Sequence, residues 1–261
     1  MPLRRLAVAG FAAVTAITSL VGPSTAHAAP TPPLPEAVPQ SSLDQVSAWI
    51  AKQWKTNPQS FSSSLLPESI VALKSTGKEP AVLAQMDKKF ATIAGDYAKE
   101  STGRAAKGIL AVQALGKDPK NYGGANLLEI MLSEVRAHPG ELDWYSLPYI
   151  VVAMINAGEP VPAATMKQLI GMVGKDGGFH PPYFDQVDPD TTGLTLLALH
   201  ALRGRSGNQS CGVDAAITRA TTWAKKAQQP NGSWTNYSPV NTTGMVAQGM
   251  LCLLYTSDAA D

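Results

Sequence analysis

The sequence has little of what marks several common classes of protein. Its 261 residues include two cysteines, and 21 Lys and Arg residues stand against 20 Asp and Glu. Two cysteines make no disulfide framework, although a pairing of Cys211 with Cys252 stays open. A near-neutral chain without a basic block gives no electrostatic basis for a nucleic-acid partner. Beyond residue 28 no run approaches about 18 uninterrupted apolar residues, so we expect no transmembrane segment there.

The start of the chain has the pattern of an export signal. Arg4 and Arg5 precede an apolar run, and the small residues of Ala26-His27-Ala28 follow it. We predict a signal peptide over residues 1–28 and a protein that is secreted or held at the outer face of the cell envelope. Five prolines then predict an extended linker over residues 29–42.

Glycine followed by proline recurs along the remaining chain. Such a pair ends a helix, because glycine accepts the left-handed backbone and proline cannot continue the hydrogen-bond ladder. The glycines concerned are separated by 39, 42 and 46 residues: Gly77, Gly116, Gly158 and Gly204. A period of about 40 residues with two helices in each unit predicts an array of helical hairpins.

Each hairpin is predicted to consist of an outer helix followed by an inner helix. The outer helices are expected at Leu43–Trp54, Ala81–Ala94, Asn126–Arg136, Ala163–Val173 and Val213–Ala227. The inner helices are expected at Leu65–Ser75, Thr102–Leu115, Trp144–Asn156, Thr191–Leu202 and from Thr242 onward. Residues that cap helix starts precede four of the inner helices: Ser101, Asp143, Asp190 and Asn241.

The last two hairpins resemble a known repeat. Residues 228–234, Gln-Gln-Pro-Asn-Gly-Ser-Trp, match the Q-x-x-x-G-x-W pattern, and Gly177-Gly178-Phe179 resembles the same motif one hairpin earlier. These motifs are similar to those of the prenyltransferase and squalene oxidase repeat family, in the superfamily of terpenoid cyclases and protein prenyltransferases. The resemblance implies an all-α fold, an α/α toroid with about six hairpins, of which residues 43–251 supply five. Residues 252–261 break the pattern and resemble translated sequencing adapter, so we expect a truncated chain with a non-native tail.

The resemblance also suggests an acid catalyst. Asp188-Pro189-Asp190-Thr191 resembles the D-x-D-D motif of class II terpene cyclases, which implies Asp190 as the acid and Asp188 as its neighbour. Clustered carboxylates in an apolar site keep one of them protonated. Thr191 replaces the last Asp of the motif, and the neighbouring repeat has Asn241 in place of Asp190. Since Asp and Asn both cap helices, capping is the alternative role.

Other chemistry lacks a complete set of residues. No D-D-x-x-D motif or G-x-S-x-G elbow is present, and a glycosidase would need two facing carboxylates among Asp143, Asp176, Asp185, Asp188 and Asp190. Histidines 138, 180 and 200 lack metal-ligand spacing, so we expect no metal site. His200 lies in an apolar helix and is expected to be a satisfied core residue.

Aromatic residues gather near the starts of the predicted inner helices, and some of them can face a ligand. The candidate ligand-binding residues are Trp144, Tyr145, Tyr149, His180 and Tyr183. We therefore expect a non-catalytic module that binds a bulky or apolar small molecule. Secreted relatives of this repeat class include cobalamin carriers, which makes a corrinoid the concrete ligand. The alternatives are a terpene-cyclase-like enzyme and a scaffold for a cell-surface partner.

Overall fold

The computed structural model describes the backbone of residues 40–203, 210–236 and 238–257, with ten α-helices and no strand in these ranges. The predicted all-α class is confirmed. The helices are α1 (Gln40–Thr56), α2 (Leu65–Thr76), α3 (Pro80–Glu100), α4 (Thr102–Ala114), α5 (Leu127–Ala137), α6 (Leu147–Asn156), α7 (Ala163–Gly171), α8 (Pro189–Arg203), α9 (Ser210–Ala227) and α10 (Pro239–Ser257). The predicted signal peptide, most of the linker and Gly204 lie outside the described residues, as do the side chains of Cys211 and Cys252.

Outer and inner helices differ in how much of their surface is buried. In α3, an outer helix, the large buried side chains recur every three or four residues, at Val82, Met86, Phe90, Ala94 and Tyr97. This is the single apolar stripe of a helix with one solvent-facing side. In α8, an inner helix, every side chain from residue 191 to 200 is buried. None of the described helices is both long and apolar enough to cross a membrane.

The chain divides into two compact units: the second is Met131–Leu254, and the first contains the residues up to Ile130 together with those from Tyr255 on. In the first unit α3 packs on α4, α1 packs on α2, and the inner helices α2 and α4 pack directly on each other. In the second unit α8 packs chiefly on α9 and on the inner helix α6. Contact between successive inner helices is the pattern expected of stacked helical hairpins. Closure of the hairpins into a ring stays a prediction.

The predicted glycine stops are confirmed where the structure describes them. Gly116 and Gly158 have φ of 75° and 76°, in the left-handed region that other residues rarely adopt. The amide after each glycine donates five residues back, Lys117 to Val112 at 3.0 Å and Glu159 to Met154 at 2.9 Å. These bonds occupy carbonyl groups that the helix end would otherwise leave free. Gly77 ends α2 with φ of 66°.

Of the four predicted caps, Ser101 is right, and Asp143, Asp190 and Asn241 are misplaced. The Ser101 hydroxyl accepts the Arg104 amide at 3.1 Å, as a cap should. The Asp143 carboxylate accepts the Ser146 amide at 2.9 Å, although α6 itself begins three residues later than predicted, at Leu147.

The helices α8 and α10 begin earlier than predicted. They start at Pro189 and Pro239, so Asp190 and Asn241 lie inside the first turn and are not the caps. The residues before the prolines take that place, because the Asp188 carbonyl accepts the Thr192 amide at 3.0 Å and the Ser238 carbonyl accepts the Thr242 amide at 2.9 Å. Proline favours the first position of a helix, where its missing N–H is not needed.

Candidate functional site

Two glycine turns, residues 174–179 and 229–234, have the same internal hydrogen bonds. The amide of the first residue donates to the carbonyl of the fifth, at 2.9 Å in the first turn and 2.8 Å in the second. In both, an Asx side chain accepts the amide two residues on at 3.1 Å: Asp176 from Gly178, and Asn231 from Ser233. The predicted correspondence between the two motifs is therefore confirmed in three dimensions.

Each glycine turn ends in an aromatic residue that is attached to the following inner helix. The Phe179 amide donates to the Thr192 hydroxyl at 2.9 Å, and the Trp234 amide donates to the Thr243 hydroxyl at 3.0 Å. The Trp234 indole also donates to the Ala224 carbonyl at 2.8 Å, in a small core cluster. These bonds fix the turn against the first turns of α8 and α10.

Three of the five predicted ligand-binding residues lie together at the start of α6. The ring of Tyr145 is 6.0 Å from that of Trp144 and 6.4 Å from that of Tyr149. Phe179, which was not among the predicted ligand-binding residues, joins them with its ring 5.0 Å from that of Trp144. We call these four residues the aromatic cluster. Tyr145 is 40% exposed, whereas Tyr149 and Phe179 are buried.

The other two predicted ligand-binding residues lie in the loop between Phe179 and Asp188. The loop is closed at its base, where the Asp188 amide donates to the Phe179 carbonyl at 2.8 Å. His180 is exposed and its Nε2 lies 3.0 Å from Asp176 Oδ2. Tyr183 is 89% exposed at the outer part of the loop. The aromatic cluster and this loop therefore share Phe179 as their common anchor.

The Asp176 carboxylate belongs to the structure of its turn. Burial is the largest single influence and opposes ionisation, but the hydrogen bonds with His180 and with the Gly178 amide together outweigh it and hold the pKa of Asp176 below the ordinary 3.8. Because the Asp176 carboxylate is held by its own turn, its hydrogen bond with the His180 ring favours one position of that ring.

Asp188 is the best-connected carboxylate of the candidate site. Its Oδ2 accepts the Thr191 hydroxyl at 2.5 Å, and its Oδ1 accepts the Asn236 amide group at 2.8 Å. It also accepts the backbone amide of Asp190 at 3.2 Å. The Asp188 side chain therefore caps α8 and, through Asn236, links it to the loop that precedes α10.

Asp190 has the opposite environment. Burial raises its pKa above the ordinary 3.8, and the nearby Asp188 charge raises it further, while the Thr242 hydroxyl and the amides of Asn236 and Asn241 act against this. The Oδ1 of Asp190 and the Thr242 hydroxyl are both buried, and the hydroxyl lies close enough to the carboxyl group to favour its ionised form. We call these five residues the α8–α10 junction.

Glycine allows the close approach of α8 and α10 beside this junction. A Cβ added at Gly193 would lie 2.7 Å from the carbonyl group of Met245, and one added at Gly249 would lie 2.5 Å from the Gly193 carbonyl oxygen. Larger residues cannot occupy either position without moving a backbone. The crossing therefore brings the first turn of α10 against that of α8.

His200 is buried as predicted, but it is not satisfied, because neither ring nitrogen has a hydrogen-bond partner in the part of the chain that the structure describes. Burial, and next the charge of Arg203, lower the pKa of His200 from 6.5 to about 4. The imidazole is therefore neutral at neutral pH. No three His, Cys, Asp or Glu side chains among the described residues are grouped to hold a metal ion.

A groove of about 300 Å³ lies elsewhere in the second unit. Arg203 and one side of α9, from Asp214 to Lys225, line it, and the Arg203 guanidinium lies 2.9 Å from the Asp214 carboxylate. None of the predicted site residues lines this groove.

Sequence reasoning missed the partners of the two acidic residues. Asn236 lies in a loop and Thr242 in a helix, and nothing in the local pattern indicates that they face Asp188 and Asp190. No protein-family model and no curated protein matches the chain. The aromatic cluster and the α8–α10 junction therefore stand on their own geometry.

Proposed function

We propose that the protein is an exported α/α-repeat module, an open or closed toroid of hairpins, that binds a small bulky ligand without transforming it. The observation that carries the proposal is the aromatic cluster, together with the exposed rings of the loop anchored on Phe179. Trp144 is half-buried and Tyr145 is 40% exposed, so both present ring surface on a framework that packing holds in place. Rigid aromatic surface with few polar groups is how proteins commonly hold planar or apolar ligands.

A corrinoid is the ligand class we propose to test first. This choice follows from the resemblance to secreted cobalamin carriers and therefore has the weight of an analogy of fold. The aromatic cluster fits the choice, because flat rings can lie against a large macrocycle. The predicted signal peptide fits it as well, since carriers act outside the cell.

Calorimetric titration of the full chain with cyanocobalamin tests the proposal. We expect binding, and we expect Tyr145→Ala and Tyr183→Ala each to weaken it by about tenfold or more. Phe184→Ala is the matched control, because Phe184 is 65% exposed in the same loop and is not a candidate residue. Absence of binding to the unmodified chain would remove the corrinoid version. Equal losses in all three variants would remove the assigned contacts.

One observation favours a second candidate, a terpene-cyclase-like enzyme with Asp190 as its acid. Burial raises the pKa of Asp190, and the neighbouring Asp188 carboxylate raises it further, which is the arrangement that keeps one carboxyl protonated. Thr191 in place of the last acidic residue of the motif speaks against it. Incubation with squalene and with prenyl diphosphates tests this candidate. Product that Asp190→Asn abolishes would support it, and unchanged turnover in that variant would exclude Asp190 as the acid.

A further inference from the structure

We propose that the candidate ligand site takes an organic cation, a compact group such as a quaternary ammonium, which is held against the rings of the aromatic cluster. The proposal rests on the proposed function for the place of the site, and it adds the charge of the ligand. It is tested with probes that are not corrinoids, so its outcome is separate from that of the cyanocobalamin titration.

The aromatic cluster presents ring faces in more than one direction. The ring planes of Trp144 and Tyr145 are inclined by 88° with their centres 6.0 Å apart, and Phe179 lies at 31° to Trp144 with its centre 5.0 Å away. The face of an aromatic ring is the negative part of its charge distribution, so a cation within about 6 Å of the ring centre is attracted to it. Ring planes at a right angle can contact one rounded cation from two sides.

The segments that contain the candidate site have an excess of negative charge. No Lys or Arg occurs between Arg136 and Lys167, or between Lys175 and Arg203. The acidic residues in these two segments are Glu141, Asp143, Glu159, Asp176, Asp185, Asp188 and Asp190. The chain as a whole is nearly balanced, with 21 Lys and Arg against 20 Asp and Glu. Negative charge is therefore concentrated in the segments that supply the rings, where it attracts cations.

Two of these carboxylates are fixed by hydrogen bonds in the elements that supply the rings. The exposed Asp143, directly before Trp144, accepts the Ser146 amide at 2.9 Å. The exposed Asp176 accepts the Gly178 amide at 3.1 Å in the turn that ends at Phe179. Burial acts against its ionisation, but its hydrogen bonds outweigh burial and hold the pKa of Asp176 below 3.8. Its negative charge is therefore present at neutral pH.

Two cationic residues border the glycine turn of this hairpin, and they do not reverse the charge. Lys175 directly precedes Asp176 and is exposed. The Arg219 carbonyl of α9 lies against Gly177, since a Cβ added there would be 2.2 Å from it. Two positive charges beside the seven acidic residues leave a clear negative excess.

The second glycine turn shows that the shared framework does not require these charges. Asn231 takes the place of Asp176 and accepts the corresponding amide at the same distance, 3.1 Å. Residues 235–241 contain no charged side chain, whereas residues 180–188 contain Asp185 and Asp188. The acidic residues of the first hairpin are therefore additional to what the turn needs, and the attraction of a cation gives them a role.

The first measurement is calorimetric titration of the full chain with choline and, separately, with 3,3-dimethylbutan-1-ol. The two molecules have almost the same shape and differ chiefly in the positive charge of the choline nitrogen. We expect choline to bind and the alcohol to bind at least about tenfold more weakly. Equal affinity for the two, or no binding of choline, would overturn the proposal. If cyanocobalamin still binds in that case, the proposed function stands without this preference for charge.

The second measurement assigns the preference to the aromatic cluster. Tyr145→Leu keeps an apolar side chain and removes the ring face, so we expect the ratio of the choline affinity to the alcohol affinity to fall at least about threefold. A ratio taken on one variant is insensitive to a general loss of fold, which affects both probes. Phe184→Leu is the matched control, because Phe184 is exposed in the loop and lies outside the cluster. A ratio that Tyr145→Leu leaves unchanged contradicts the proposal.

The third measurement tests the acidic residues. Asp185→Asn removes one exposed negative charge, and we expect it to weaken choline binding about twofold at low salt and less at high salt, with no effect on the alcohol. Asp96→Asn removes the same charge from an exposed position of α3 and should change neither affinity. Equal effects of the two variants on choline binding would count against attraction by the acidic segments.

Discussion

The hairpins α7–α8 and α9–α10 share one framework and differ in what is attached to it. Both have the glycine turn, the Asx side chain that closes it, and the threonine that accepts the aromatic amide. They differ in loop length, since Thr192 lies 13 positions after Phe179 whereas Thr243 lies only 9 positions after Trp234. The longer loop of the first hairpin contains the exposed Tyr183. The shared bonds are therefore structural, and the differences mark the candidate site.

A second difference lies at the first turn of the inner helix. Asp190 in α8 corresponds to Asn241 in α10, so only α8 has a titratable side chain at this position. Burial raises the pKa of that Asp190 carboxyl. The aromatic residues also differ in use, because Trp234 packs into a core cluster with Ala224 and Val246, whereas Phe179 packs against Trp144. The aromatic residue of the second hairpin thus packs within the core, whereas that of the first hairpin belongs to the aromatic cluster.

The largest effect is expected where the two hairpins cross. Gly193→Ala places a methyl group 2.7 Å from the Met245 backbone, which must shift to admit it. We expect a loss of about 3 kcal/mol in the free energy of unfolding. This is the upper end of the usual cost of overpacking, because the added methyl group meets backbone atoms, which move less easily than a side chain. Gly171→Ala is the control, since a Cβ there meets nothing within 4 Å. Denaturant unfolding that ranks the two variants equally would contradict the crossing.

The second effect concerns the acid sensitivity that His200 gives to α8. When Asp190 is aligned with Asn241, the residue of α10 that corresponds to His200 is Leu251, which does not titrate. The pKa of His200 falls from 6.5 to about 4 on folding, so stability is complete above 6.5 and falls by about 3 kcal/mol as the pH drops through 4. His200→Leu should remove this acid sensitivity and be more stable at low pH. Unfolding curves of both proteins across this range provide the measurement. Parallel curves would refute the assignment.

The equivalence of the two turns is tested by removing the same bond from each. Thr192→Val and Thr243→Val each leave an aromatic-residue amide without its acceptor, at a cost of about 2 kcal/mol. We expect similar losses from the two substitutions by thermal or denaturant unfolding. A loss confined to Thr243→Val would mean that only the second hairpin depends on this bond.

The smallest effect is expected from making the two inner helix starts alike. Asn241→Asp adds a third carboxyl to the α8–α10 junction, beside Asp188 and Asp190, so at neutral pH it should destabilise the protein by about 1 kcal/mol. The loss should disappear in acid, where the added carboxyl is neutral. Unfolding at the two pH values checks this. An equal loss at both would indicate a steric effect in place of an electrostatic one.

The all-α class and most helix ends could be predicted because their signals are local. Gly116 and Gly158 end their helices through bonds within six residues, and apolar spacing within α3 reveals its buried side. The starts of α8 and α10 were misplaced because more than one residue near each start is of a type that caps helices, so residue type alone does not show which one is the cap. The prolines at 189 and 239 were the signal that places the start correctly.

The candidate site could be predicted only in part, because its contacts join distant segments. The aromatic residues at 144, 145 and 149 are close in sequence, and their grouping follows from one helix start. The contact of Phe179 with Trp144 spans 35 positions, and the bond from Asn236 to Asp188 spans 48. No local pattern encodes either pair. The environment of Asp190 likewise depends on a helix that begins about 50 positions later.

Shortening the loop of the first hairpin tests the distinction between framework and candidate site most directly. Deletion of residues 182–185 from the full chain gives it the length found in the second hairpin and leaves the bonds of Phe179 to Thr192 and Asp188 outside the deletion. We predict a melting temperature that changes by no more than about 3 °C, since exposed loop tips tolerate such changes. A fall of 10 °C or more in the melting temperature would show that the loop belongs to the framework. For a chain of this size, about 1 kcal/mol corresponds to a change of 2–4 °C.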